Sequence, residues 1–80
     1  MAEWEYVYVR VADRIEADIR SGRLPYGARL PGERALAEEH AIAPMTARRV
    51  VRELRERGLV ITMPSKGTFV TVTRDGREQQ

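Results

Sequence analysis

Glycine and proline divide this chain so closely that only three helices and one hairpin fit between them. Ser21-Gly22 closes a first periodic segment, and Arg23 to Pro31 holds two prolines and a glycine. Gly32 and Pro44 open two further segments, Gly58 ends the second of these, and Pro64-Ser-Lys-Gly67 separates two β-branched runs. Glycine tolerates the left-handed conformation past a helix end. Proline suits a first helical position, where its missing N–H is not needed and its φ is already helical. The 23–31 stretch is therefore a turn or an extended connection, with Leu24 and Leu30 expected to plug the core.

From Val7 to Ser21 the apolar residues Tyr8, Val11, Ala12, Ile15 and Ile19 recur at helical spacing, which predicts helix 1. A second short helix is expected from Glu33 to His40, with Gly32 at its N-cap and Glu33 complementing the helix dipole. Ala41-Ile42-Ala43 leaves a tight turn before a third helix that runs from Pro44 to Arg57. On that helix Ala47, Val50, Val51 and Leu54 share one side, while Met45, Arg48, Arg49 and Arg52 share the other. A short helix, a tight turn and a longer helix with outward arginines give the order of a helix-turn-helix. Leu59 to Met63 and Thr68 to Thr73 then read as a β-hairpin whose four-residue connection, 64–67, carries Lys66, the only lysine. The fold class expected is mostly α with a small antiparallel hairpin. Residues 1–6 are expected as a flexible lead-in anchored by Trp4 and Tyr6, 7–73 as the folded domain, and 74–80 as a disordered polar tail.

Eighty residues make one small domain, near the size at which a core stabilises only marginally. There is no cysteine, so neither a disulfide framework nor a thiolate metal site is available. No apolar run is long enough to cross a bilayer, and Glu3 and Glu5 beside Trp4 do not make the basic flank of a signal peptide. A cytoplasmic protein that does not engage a membrane is the expectation. Net charge is only +2, but residues 1–43 carry six basic and eight acidic side chains, whereas residues 44–80 carry eight and four. The positive charge is concentrated around the third helix, as a one-faced footprint for a polyanion requires. An arginine-bearing helix face is more often simply solvated, so the neighbouring segments must decide. His40 has no second histidine near it, and no nucleophile–base pair or phosphate-cradling glycine loop is present. Neither an enzyme, a metal nor a cofactor is expected.

The run Gly22-Arg-Leu-Pro-Tyr-Gly-Ala-Arg-Leu-Pro-Gly-Glu-Arg-Ala-Leu-Ala37 resembles the signature that opens the DNA-binding domain of GntR-family transcriptional regulators. Met45-Thr-Ala-Arg-Arg49 resembles that family's recognition-helix core, and Leu54 to Val60 followed by Lys66-Gly-Thr-Phe-Val70 resembles its helix end and wing. The likeness spans roughly residues 7–72 with its motifs in order. It implies a winged helix-turn-helix, three helices followed by a two-stranded wing. It also implies a sequence-specific double-stranded DNA-binding regulator, a repressor, with the third helix in the major groove and the wing at the minor groove. By position, Arg34 would reach DNA from the start of helix 2, Thr46 and Arg48 would make phosphate and base-edge contacts, and Ser65, Lys66 and Gly67 would flank the minor groove. Met45, Arg49 and Arg52 complete the candidate DNA-binding set from the outward face. Arginine can bind guanine O6 and N7 with two hydrogen bonds, whereas threonine and lysine more often hold phosphates. One helix reads few bases, so a homodimer on a palindromic operator is expected.

Three departures from the family pattern bear on these expectations. Ala43-Pro44 replaces the common Ser-Arg, removing a side-chain cap and one frequent DNA-contacting arginine, which Arg49 would partly replace. Ala41 stands where a turn glycine is usual, at a cost of up to about 1 kcal/mol if its φ is positive. The C-terminal effector domain usual in the family does not follow the wing, so no small-molecule effector is expected in this short chain. It reads as either an excised DNA-binding domain or a naturally minimal regulator, with Met1 and no visible tag favouring the second. A solvated-surface reading pairs Arg34 with Glu38, and Arg49 and Arg52 with Glu53 or Glu56. The alternative function is a winged-helix interaction module that pairs with a larger regulator through Trp4, Tyr6 and helix 1.

Overall fold

A computed structural model of the chain describes residues 3–72. Three helices, α1 (Glu3–Arg20), α2 (Glu33–His40) and α3 (Pro44–Glu56), precede an antiparallel hairpin of β1 (Val60–Met63) and β2 (Gly67–Val70). Helix α1 takes in Glu3 to Tyr6, which correct the expected lead-in: nothing between Glu3 and Val7 breaks a helix, and Trp4, four positions before Tyr8, continues the helical spacing. Thr73 and the 74–80 tail lie outside the described residues, as does the side chain of Trp4.

The core forms where the apolar stripes meet. Ala12, Ile15 and Ile19 of α1 pack with Leu36 and Ala37 of α2 and with Ala47, Val50 and Leu54 of α3, and Leu59, Val60, Val70 and Val72 close it beneath the hairpin. Each fully buried Ile, Leu or Val contributes about 1.5–3 kcal/mol of apolar transfer. Leu30 is buried and Leu24 packs partly against the cluster, so the connection after α1 does plug the core.

Helices α2 and α3 end in the same hydrogen-bond pattern. Ile42 N donates to Ala37 O at 2.9 Å, and Leu59 N donates to Leu54 O at 3.0 Å. Both are the six-to-one bond of a left-handed helix stop. Gly58 takes the left-handed position in α3 with φ 78°, while Ala41 holds it in α2 with φ 55°. The turn of the helix-turn-helix is therefore closed by an alanine in a conformation that costs an L-residue about 1 kcal/mol.

The hairpin pairs Val60 with Val70 and Met63 with Gly67, so its strands are shorter than the β-branched runs and Gly67 belongs to β2. Met63, Pro64, Ser65 and Lys66 make the turn, with Lys66 N donating to Met63 O at 3.0 Å and Ser65 at φ 66°. Residues 27–30 lie along the free edge of β2. Gly27 N donates to Val70 O at 2.8 Å, Leu30 N donates to Thr68 O at 2.8 Å, and Val70 N donates to Ala28 O at 2.9 Å. The two-proline connection thus becomes a third edge of the wing, bridged at Arg29 and Phe69.

Candidate nucleic-acid interface

Helix α3 lies with Ala47, Val50 and Leu54 fully buried, which turns Met45, Arg48 and Arg52 outward. Met45 is 69% exposed, an apolar side chain left in water beside the arginines. Its N-cap residue, Ala43, makes no side-chain cap, and no acidic residue stands in the first turn. The free N–H groups and the positive end of the helix dipole are therefore left for an external anion.

Two recesses flank this outward face. A groove of about 500 Å³ is lined by Tyr8 of α1 and by Met45, Thr46, Arg48, Arg49, Arg52 and Arg55 of α3. A smaller cleft of about 240 Å³ separates α3 from the wing, with Arg29, Glu33, Arg48, Arg55, Thr62 and Gly67 among its walls. Arg48 and Arg55 border both, so the helix face and the wing form one continuous cationic surface.

The expected site residues do not behave alike. Arg48 Nε donates to Glu33 Oε2 at 2.9 Å and its Nη2 donates to Oε1 at 3.3 Å, a fork that aims the guanidinium from the start of α2. This bonding raises the Arg48 pKa further, although the side chain stays in solvent. Arg49 turns away from the outward face. Its guanidinium lies 4.3 Å above the Tyr8 ring, its Nη2 donates to the Tyr8 hydroxyl at 2.9 Å, and its Nη1 sits 4.0 Å from Glu53. The reason is proximity, since α1 packs against α3 along this edge and supplies a π face for the cation. Arg52 is exposed and Thr46 half-buried on the groove wall.

Arg34 is exposed one residue after Glu33 and makes no ion pair with Glu38 or any other described residue. Ser65 and Lys66 are exposed at the wing turn, and Gly67 lies behind them. Arg55 joins the wing to α3: its Nη1 donates to Thr62 Oγ1 at 2.8 Å, and the hydroxyls of Thr62 and Thr68 are bonded at 2.9 Å across the strands. Neither this tie nor the Arg29 and Tyr8 walls were among the expected residues. From sequence, Tyr8 reads only as part of the apolar stripe of helix 1 and Thr62 only as part of a strand, and their meeting with arginines depends on how separate elements pack.

His40 is half-buried at the end of α2, its Nε2 3.4 Å from Glu39 and without a hydrogen-bond partner among the described residues. Among those residues no group of three or more His, Asp or Glu is placed to hold a metal, and no helix is long and apolar enough to cross a membrane.

Comparison with known proteins gives a consistent set. Residues 7–70 match the model for bacterial regulatory proteins of the gntR family. The chain is 39% identical over 64 residues to the histidine utilization repressor of Pseudomonas aeruginosa, covering 80% of this chain and 26% of that protein. It is 32% identical over 65 residues to the transcriptional repressor NagR of Bacillus subtilis, covering 81% and 27%. The chain thus spans about a quarter of the length of these curated relatives. Among solved structures, a transcriptional regulator from Oenococcus oeni superposes with a TM-score of 0.78 at 32% identity, over 86% of this chain and 56% of that one. AraR(DBD) in complex with operator ORX1 superposes with 0.75 at 26% identity, over 80% and 77%. With the family model covering most of the sequence and the helices and wing in the same arrangement, this chain belongs to the gntR family of bacterial regulatory proteins.

Proposed function

We propose that the chain is the DNA-binding unit of a cytoplasmic transcriptional repressor, with α3 in the major groove and the 64–67 turn at the minor groove. The observation that carries this is the continuous cationic surface from α3 to the wing, bordered by Arg48 and Arg55, on a helix whose N-terminus carries no side-chain cap. In this reading Arg48, steadied by Glu33, reads a guanine edge, while Thr46, Arg34, Arg52 and Lys66 hold phosphates. Met45 packs against a base edge or sugar. Arg49 serves mainly by fixing α1 against α3, because its guanidinium is already engaged by Tyr8. A homodimer on a palindromic operator supplies the second recognition helix. Relatives named as repressors and a neighbour solved with its operator support this reading.

The test is binding to a mixed-sequence DNA duplex as salt is varied. The three cations that hold phosphates in this reading, Arg34, Arg52 and Lys66, give a slope of log K against log[salt] of roughly −3. A flat line would sink the proposal. Selection of bound duplexes from a random pool should then return two half-sites about one helical turn apart. On the selected site, Arg48→Ala should weaken binding roughly ten- to hundred-fold while changing mixed-sequence binding far less. Equal losses on both would make Arg48 a phosphate contact.

A further inference from the structure

Arg29 belongs to the connection before α2, yet its side chain lies on the wing. A Cβ placed on Gly67 would stand 2.6 Å from Arg29 Nε and 3.3 Å from its Cζ and Nη2. Real atoms do not approach so closely, so the Arg29 guanidinium fills the space that any side chain at position 67 would occupy. Gly67 also has φ +127°, a conformation other residues rarely adopt. The φ requires glycine here, and the open space above it is where the Arg29 guanidinium rests.

Arg29 also borders the cleft between α3 and the wing. Of the three arginines there, Arg48 is held by Glu33 and Arg55 by Thr62. Arg29 makes no side-chain hydrogen bond or ion pair among the described residues, and Glu33, the carboxylate in the cleft, is already engaged by Arg48. Lys66, the residue before Gly67, is exposed on the turn.

We propose that Arg29 is a DNA-backbone contact carried by the wing, seated on Gly67 beside Lys66, so that the connection before α2 and the hairpin tip present one cationic edge to a phosphodiester. This rests on the DNA-binding reading above. The bridge at Phe69 fixes the backbone beneath the side chain, and the guanidinium rests over Gly67 at the wing, where a phosphate would meet it.

Salt titrations of the wild type, Arg29→Gln, Arg29→Lys and Lys66→Ala on one mixed-sequence duplex test the assignment, with thermal melts run in parallel. Arg29→Gln should flatten the slope by roughly 0.9 and weaken binding roughly five-fold at about 0.15 M salt. Arg29→Lys should keep the slope, Lys66→Ala should lose as much as Arg29→Gln, and the melting temperatures should stay within about 3 °C. A wild-type slope in Arg29→Gln, with the expected loss in Lys66→Ala, would overturn the role of Arg29 and leave DNA binding intact. Lower affinity with an unchanged slope and a lower melting temperature would make Arg29 a structural prop and overturn it too. A flat wild-type slope would instead remove the DNA reading itself.

Discussion

At its C-terminal end α3 is bolted to α1 through Arg57, whereas at its N-terminal end it has neither a capping side chain nor an acidic residue in its first turn. Arg57 Nη1 lies 2.9 Å from Asp13 and 2.9 Å from Glu16, and its Nε donates to Glu53 at 2.9 Å. Partial burial works against that charge, but the bonds from Glu53, Glu16 and Asp13 outweigh it and raise the pKa further. At the other end Met45, Arg48 and Arg52 stand in solvent, and the one firm polar tie of Arg48 is to Glu33 on the neighbouring helix. The same residue type thus does two jobs on one helix. Arg57 with three carboxylates fixes the helix against its scaffold, whereas Arg48 with one and Arg52 with none present their charge to solvent. Rigidity placed at one end preorganises what the other end presents.

Arg57→Ala should break this contrast most severely. It leaves Asp13, Glu16 and Glu53 without their shared cation and should cost about 2 kcal/mol, roughly 10 °C in melting temperature. Arg57→Lys should fall between, because an ammonium cannot reproduce the fork. A loss under about 3 °C for the alanine variant would show that apolar packing alone seats the helix.

Smaller effects belong to the turn that leads into the exposed end. Ala41→Gly should stabilise by up to about 1 kcal/mol, and Gly58→Ala at the matching stop should destabilise by a similar amount, both measurable by urea unfolding. Opposite signs at equivalent positions would confirm that backbone conformation decides both. Next comes the missing cap. Ala43→Ser and Ala43→Asp should each add about 0.5–1 kcal/mol, but only Ala43→Asp should weaken binding to duplex DNA, by placing a carboxylate where a phosphate is expected.

The smallest expected effect is a pH dependence at the bolted end. Partial burial pushes the Glu16 carboxyl up, but hydrogen bonds from Arg57 and Arg20 hold it below its ordinary value of 4.5. A carboxylate with a lowered folded pKa contributes stability above pH 4.5, and this contribution is lost as pH falls through the folded value. Stability measured from pH 6 downward should therefore decline, and Glu16→Gln should flatten part of that decline. An unchanged profile in Glu16→Gln would remove Glu16 from the bolt.

Local rules reached most of the fold. The starts of α2 and α3 follow from Gly32 and Pro44, and the stop of α3 follows from Gly58, whereas α2 stops at Ala41 in a left-handed conformation that alanine does not favour. Helix α1 starts at Glu3 rather than Val7, and the spacing of Trp4 from Tyr8 and Val11 carried that signal. The strands Val60–Met63 and Gly67–Val70 are shorter than the β-branched runs, although Thr71 N still donates to Leu59 O at 3.0 Å one step beyond the Val60–Val70 pair. For the site, the outward direction of Arg48 and Arg52 was legible from periodicity. The partners of Arg49 and Arg57 were not, because Tyr8 and Glu16 each lie 41 positions away and meet them only through α1–α3 packing. The seat of Arg29 on Gly67 was hidden for the same reason.

The wing turn has a practical consequence. The chain contains thirteen arginines but a single lysine, and that lysine is exposed at the hairpin tip. Apart from the α-amine, an amine-directed dye at mildly alkaline pH therefore has one address on the molecule, Lys66. Enzymatic acetylation would likewise fall on the wing alone, removing one charge there while leaving every guanidinium of α3 untouched.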